Sequence, residues 1–285
     1  MRSCIHLYYM CTLVSASFST AFKGSSAGLE SRVIHLAKSV REKIAVGAPS
    51  PDAVSLAYPS AYSKPDGSGY RGFCNWLIPR HVMVGQYPGQ NPEVNGPNVQ
   101  EVQSHIQCIV QDAGVDLFCC LQSEVPAQDD FTTWKKAGGE TFLPFYLRGE
   151  FPNAFTHYAP YVLSASQSRN DPIFLHSPIE DLNVPNSEPL LLLLSQLLEA
   201  LESGRTLYLH CWGGRGRAGL VGACLVSLIW PEMNSSSVLD LVQTGYESRA
   251  GADAMAPALS RSPQTESQRE FVRKFVQNQN RRQVE

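Results

Sequence analysis

Short apolar blocks and longer stretches of helical period alternate along most of this chain. Trp76-Leu-Ile78 and His81-Val-Met-Val84 read as brief strands closed by the turn Gly85-Gln-Tyr-Pro-Gly89. Asn98 is placed to cap a helix whose apolar residues Val99, Val102, Ile106, Ile109 and Val110 share one face, and Gly114 ends it. Val115 to Leu121, Thr141 to Leu147 and Asp171 to Ile179 read as further strands. The leucine-rich stretch 190–201, between Ser187 and Gly204, is a helix that leads into the apolar run Thr206-Leu-Tyr-Leu209 and then into the helical stretch Ala218 to Trp230. After Pro231 the pattern stays helical, over Ser236 to Arg249 and again from Thr265, where Thr265 and Gln268 have capping-box spacing. Strands alternating with helices predict an α/β fold with a central, mostly parallel sheet flanked by helices.

The N-terminal part follows another pattern. Arg2 precedes the apolar stretch Ile5 to Val14, small residues follow, and Arg32, Lys38, Arg41 and Lys43 then outnumber Glu30 and Glu42. Residues 1–47 read as a targeting or transit segment, with Ser19-Thr-Ala-Phe22 resembling the cleavage motif of plastid leaders, or equally as a disordered cytosolic extension. The cytoplasm and a plastid are thus the two locations expected. Residues 48–70, rich in proline, glycine and serine, read as a linker, which places the folded catalytic domain over residues 71–285. The longest apolar run, Leu190 to Leu198, is interrupted and too short for a transmembrane segment.

The octapeptide His210-Cys-Trp-Gly-Gly-Arg-Gly-Arg217 carries the candidate chemistry. It lies between a strand and a helix, so its glycine-rich loop aims backbone N–H groups at a common centre, backed by the positive end of the helix dipole. That centre suits a phosphate dianion. Arg217 adds a planar fork for phosphoryl oxygens, and the same field favours the thiolate of Cys211, since cysteines so placed drop from about 8.5 to roughly 3.5–7.5. Trp212, Gly213, Gly214, Arg215 and Gly216 complete the expected phosphate cradle.

Gly214-Arg-Gly-Arg-Ala-Gly219 also fits a dinucleotide fingerprint. Context argues against it, because the segment after Trp230 turns at Pro231 and resumes as helix, where a second parallel strand would be needed. A net charge of −3 gives no support for nucleic-acid binding. The eight cysteines contain no C-x-x-C pair, and His81, His105, His157 and His176 lack ligand spacing, so neither a disulfide framework nor a metal or other cofactor is expected.

His-Cys, five residues, then Arg resembles the motif of the cysteine-dependent protein tyrosine and dual-specificity phosphatases, and within them the kinase-associated group. The resemblance implies that Cys211 attacks phosphorus, that Arg217 binds the phosphoryl oxygens, and that a carboxylic acid on another loop protonates the leaving oxygen. Ser177-Pro-Ile-Glu-Asp-Leu-Asn-Val-Pro185 resembles the segment that carries this acid, which makes Asp181 the candidate and Glu180 its neighbour and rival. His210 would support the loop by hydrogen bonding and help hold Cys211 ionised. Gln264 resembles a glutamine that positions water for the second step, with helix capping the alternative reading.

Two positions depart from the pattern. Ala218 stands where the family usually has a hydroxyl that assists departure of the thiolate, which implies slow turnover, and Arg215 adds a second cation that either faces an anionic substrate or points to solvent. Cys119 and Cys120 end the strand expected beside the catalytic one, on opposite faces, as core packing or as a redox partner for Cys211. The expected activity is hydrolysis of phosphomonoesters on proteins through a phosphocysteine intermediate. A phosphoinositide or small-phosphate phosphatase and a weakly active phosphate-binding module are the alternatives.

Overall fold

A computed structural model describes residues 26–44, 56, 58, 73–166, 171–249 and 260–282. Its centre is a five-stranded sheet built from β1 (Cys74–Ile78), β2 (Val82–Gly85), β3 (Leu117–Gln122), β6 (Ile173–Ile179) and β7 (Leu207–His210), in the order β1-β2-β7-β3-β6. β1 runs antiparallel to β2, and the remaining pairs are parallel. The mostly parallel α/β sheet expected from the sequence is therefore present.

Pleating sends alternate side chains of each strand into two separate cores. Cys119, Leu207 and Leu209 join a core with α1 (Ser26–Ile44), α5 (Ser187–Glu202), α6 (Arg217–Ile229), α7 (Ser235–Glu247) and α8 (Glu266–Arg282). Phe118, Cys120 and Tyr208 point the other way, into an aromatic core with α2 (Val99–Gln107), α3 (Phe131–Lys136) and α4 (Ala159–Ala165). Every residue of α6 is buried, as befits a helix apolar on all sides at the centre of a layer. Asn98 caps α2 reciprocally with Glu101, and a wide turn over Cys108–Asp112 follows before Gly114, in left-handed conformation, redirects the chain.

The folded unit begins well before Arg71. Leu29, Val33, Leu36, Ala37, Val40 and Ile44 form one buried stripe of α1 against the α5 and α6 layer, and the Trp76 amide donates to the Leu56 carbonyl at 2.9 Å. Burying such side chains stabilises by roughly 1.5–3 kcal/mol each, against about 0–1 for the surface pairs Arg32–Glu199, Arg41–Glu232 and Lys43–Glu202. The apolar stripe, not the basic character read as a leader, decides where α1 goes. The leader proposed for the first residues and most of the linker lie outside the described residues.

A second difference concerns Thr141 to Leu147. β4 is only Glu140–Phe142, paired antiparallel with β5 (Ala154–Thr156), because Pro144 has no N–H to continue a ladder and a 3-10 turn over Phe145–Leu147 follows. No helix among the described residues is long and apolar enough to cross a membrane.

Candidate active site

β7 delivers His210, and residues 211–216 turn between it and the first residue of α6, Arg217. The loop is fixed from three sides. Gly214 adopts φ +64°, and a β-carbon there would lie 2.2 Å from the Gly85 carbonyl oxygen, so the close approach to the end of β2 requires glycine. The Tyr87 amide donates to the Trp212 carbonyl at 3.0 Å. From behind, the buried Arg249 after α7 donates to the carbonyls of Gly214 (2.8 Å), Gly213 (3.3 Å) and Val84 (2.9 Å) and to Asn75 Oδ1 (2.8 Å). Its guanidinium binds carbonyls of the loop and of β2 together, which ties the loop to the end of the sheet. Burial pushes Arg249 down from its ordinary value, with the Cys74 thiol opposing.

Cys211 is 3% exposed, and Arg217 is 1% exposed. Arg217 Nη1 donates to Glu124 Oε2 at 2.6 Å and to the Ile179 carbonyl at 3.0 Å, while Nη2 reaches Glu124 Oε1 at 2.9 Å and Asp181 Oδ1 at 3.0 Å. Burial opposes the charge, but the Glu124 bond and the nearby Cys211 thiol and carboxylates outweigh it and hold the guanidinium above its ordinary range. Its Nε–H is buried and has no partner among the described residues. A positive donor left unpaired is costly, and an anion in the loop would satisfy it.

Asp181 thus meets Arg217 directly. Glu180 instead accepts from Asn183 Nδ2 at 2.9 Å, so the two neighbours part as the strand ends. Gln264 lies against the loop: its Oε1 would be 3.2 Å from a β-carbon on Gly216, and the Gln268 amide is equally near. Gln268 also accepts from the backbone amides of Gln264 and Thr265 while its own amide donates to Thr265 Oγ1, the capping box expected there.

His210 differs from expectation in its contact. Its Nε2 pairs with the Tyr158 hydroxyl at 2.8 Å, Nδ1 has no partner among the described residues, and burial, then His176 and Arg217, push it down to about 3. The ring is neutral in the pH range of ordinary proteins, so it can act on the loop by packing and not by charge. Trp212 stands between the rings of Phe151 and Phe155, with Nε1 donating to Glu93 Oε1 at 3.2 Å. Burial pushes Glu93 up, and the Trp212 bond and the Arg215 charge oppose that, so Arg215 acts toward this acid. The Arg215 carbonyl accepts from Ser262 Oγ at 2.9 Å. Ala218 is fully buried beside the loop. Cys119 and Cys120 face opposite cores, as pleating demands, and it is Cys120, opposite His210 in the register, that lies in the field of Arg217, Glu124 and Cys211.

Glu124, Arg249 and Glu93 carry no signal of a site role in the sequence, and Gln268 carries only that of a helix cap. Glu124 sits in a loop that reads only as polar, and Arg249 binds backbone carbonyls, which leave no mark in a sequence.

The family described as "PTP-SAK: Swiss Army Knife protein, DSP-PTPase phosphatase domain" matches residues 154–272. Cyclin-dependent kinase inhibitor 3 of Homo sapiens is 31% identical over 122 residues, covering 41% of this chain and 56% of the relative. A putative tyrosine phosphatase, 067L, of Invertebrate iridescent virus 3 is 38% identical over 61 residues, 20% of this chain and 25% of the relative. The chain spans about half the length of the cyclin-dependent kinase inhibitor 3 proteins it matches. Among solved structures, kinase associated phosphatase with its catalytic cysteine replaced by serine aligns with a TM-score of 0.45 at 16% identity, over 74% of this chain and 95% of the other. The matched phosphatase domain runs from β5 into α8 and so includes the loop from Cys211 to Arg217, and over that part the chain is similar to the dual-specificity and tyrosine phosphatases.

Proposed function

We propose that this protein hydrolyses phosphomonoesters on proteins, at phosphotyrosine, phosphoserine or phosphothreonine, through a phosphocysteine intermediate. The observation that carries this reading is the buried Nε–H of Arg217, without a partner among the described residues, beside Cys211 on a loop whose carbonyls are bound by Arg249. In the first step Cys211 Sγ attacks phosphorus, the bond from phosphorus to the leaving oxygen breaks, and Asp181 gives that oxygen its proton. In the second, water attacks the phosphocysteine, the sulfur–phosphorus bond breaks, and Asp181 takes the proton from water while Gln264 orients it. Arg217 follows the phosphoryl oxygens through both steps, clamped by Glu124.

The loop's second cation, Arg215, supports the alternative of a more anionic substrate such as a phosphoinositide. Its proximity to the partly buried Glu93 favours the protein reading, because that carboxylate offsets the added charge. The test is a panel of phosphotyrosine and phosphothreonine peptides and phosphoinositides, assayed in reductant without metal, with Cys211→Ser and Arg217→Ala alongside. Phosphopeptide hydrolysis lost in Cys211→Ser with binding retained, and both lost in Arg217→Ala, is expected. Binding without phosphate release by the intact protein would instead favour a phosphate-binding module.

A further inference from the structure

The turn that carries Asp181 is held by the start of α8. Within the turn, the Asn183 amide donates to the Glu180 carbonyl at 3.1 Å, and Leu182 adopts φ +63°, a left-handed conformation disfavoured for any residue with a β-carbon. From outside, Thr265 Oγ1 donates to the Leu182 carbonyl at 3.3 Å, and Gln268 Nε2 donates to the Asn183 carbonyl at 3.1 Å. Gln268 is fully buried, its Oε1 accepts from the Gln264 and Thr265 amides, and its side chain packs on Gly216 of the phosphate loop. One amide therefore joins the acid turn, the glutamine segment and the phosphate loop.

We infer that Gln268 is a positioning residue that latches the acid turn against the phosphate loop, an inference that rests on Asp181 being the general acid. The ion pair from Asp181 to Arg217 cannot hold the turn during reaction, since phosphoryl oxygens compete for the same guanidinium. Asp181 is also half exposed. The bonds from Thr265 and Gln268 do not involve the phosphate, so they hold the acid in place with substrate bound, and they enforce the left-handed Leu182 that turns the chain back after Asp181.

The test measures rates across aryl phosphates of rising leaving-group pKa, together with a phosphothreonine peptide, for the wild type, Asp181→Asn, Gln268→Leu, Gln268→Glu and the double variant Gln268→Leu/Leu182→Gly. Asp181→Asn defines the steep leaving-group dependence of an enzyme without its acid. Both Gln268 variants are expected to approach that dependence, with Gln268→Leu slowing the peptide roughly ten- to a hundredfold and p-nitrophenyl phosphate by less than about threefold. Leu182→Gly is expected to restore part of the loss, because glycine adopts the left-handed conformation without being held there. Gln268→Glu keeps the acceptor that caps α8 and replaces the donor to Asn183 by an oxygen; because its charge also faces the phosphate loop, its leaving-group dependence and not its absolute rate carries the test if the leucine variant does not fold. A wild-type dependence in a folded Gln268 variant, with Asp181→Asn steep, overturns the latch alone. A wild-type dependence in Asp181→Asn overturns the acid assignment and the latch with it.

Discussion

Arg217 presents both terminal nitrogens to Glu124, at 2.6 and 2.9 Å, in a fork-to-fork pair at the end of β3. The pair fixes the plane of the guanidinium and leaves the buried Nε–H as the donor without a partner among the described residues. Breaking a buried pair by removing one partner costs roughly 3–5 kcal/mol, far more than a surface pair. Glu124→Gln should therefore lower the melting temperature clearly and reduce kcat/KM by at least about tenfold. Calorimetry and steady-state kinetics check this, and unchanged values for both would show that Arg217 is oriented by other contacts.

Arg249 makes a comparable prediction from the other side of the loop. Arg249→Met removes the donors to three backbone carbonyls and leaves Asn75 without its guanidinium, at roughly 1–3 kcal/mol for each buried group left unsatisfied. The variant should be strongly destabilised and, where folded, should lose phosphate affinity as the loop relaxes. Competitive inhibition by inorganic phosphate measures that loss, and an unaltered inhibition constant would contradict it.

These two residues mark the limit of what the chain discloses before folding. The strand, loop and helix around Cys211 are legible because glycine content, the apolar run of β7 and the apolar length of α6 are local properties. Asp181 is legible through a local motif. Glu124, Arg249 and Gln268 act across strand and helix packing, and a buried cation bonded to carbonyls has the same sequence appearance as one at a solvated helix end. α1 differs from its expected leader character for a related reason: its basic residues alternate with a buried stripe whose partner, α5, lies far along the chain.

Burial of two histidines makes stability fall as the solution is acidified. His105 and His210 are both fully buried and pushed down to about 3, each by burial first. From about pH 6.5 downward the unfolded chain takes up protons that the folded one refuses, so their contribution is whole above that pH and falls by about 1.4 kcal/mol per unit per histidine toward pH 3. Denaturant unfolding should show a decline between about pH 6.5 and pH 5, and His105→Gln should make it shallower. An equally steep decline in that variant would mean that other groups govern it.

In the proposed mechanism Ala218 would bear on the rate of the second step. Without a hydroxyl to assist the departing thiolate, phosphocysteine should form faster than it breaks down, and Ala218→Ser should raise steady-state turnover with little change in the initial burst. Absence of a burst together with unchanged turnover in Ala218→Ser would make the alanine kinetically silent.

The central claim is tested most directly by rapid acid quench of the reduced protein during hydrolysis of a radiolabelled phosphomonoester, followed by peptide mapping. The account predicts label on the peptide containing Cys211, accumulating before steady-state phosphate release and absent from Cys211→Ser. Sustained phosphate release with no label on that peptide, or full activity in Cys211→Ser, would contradict it.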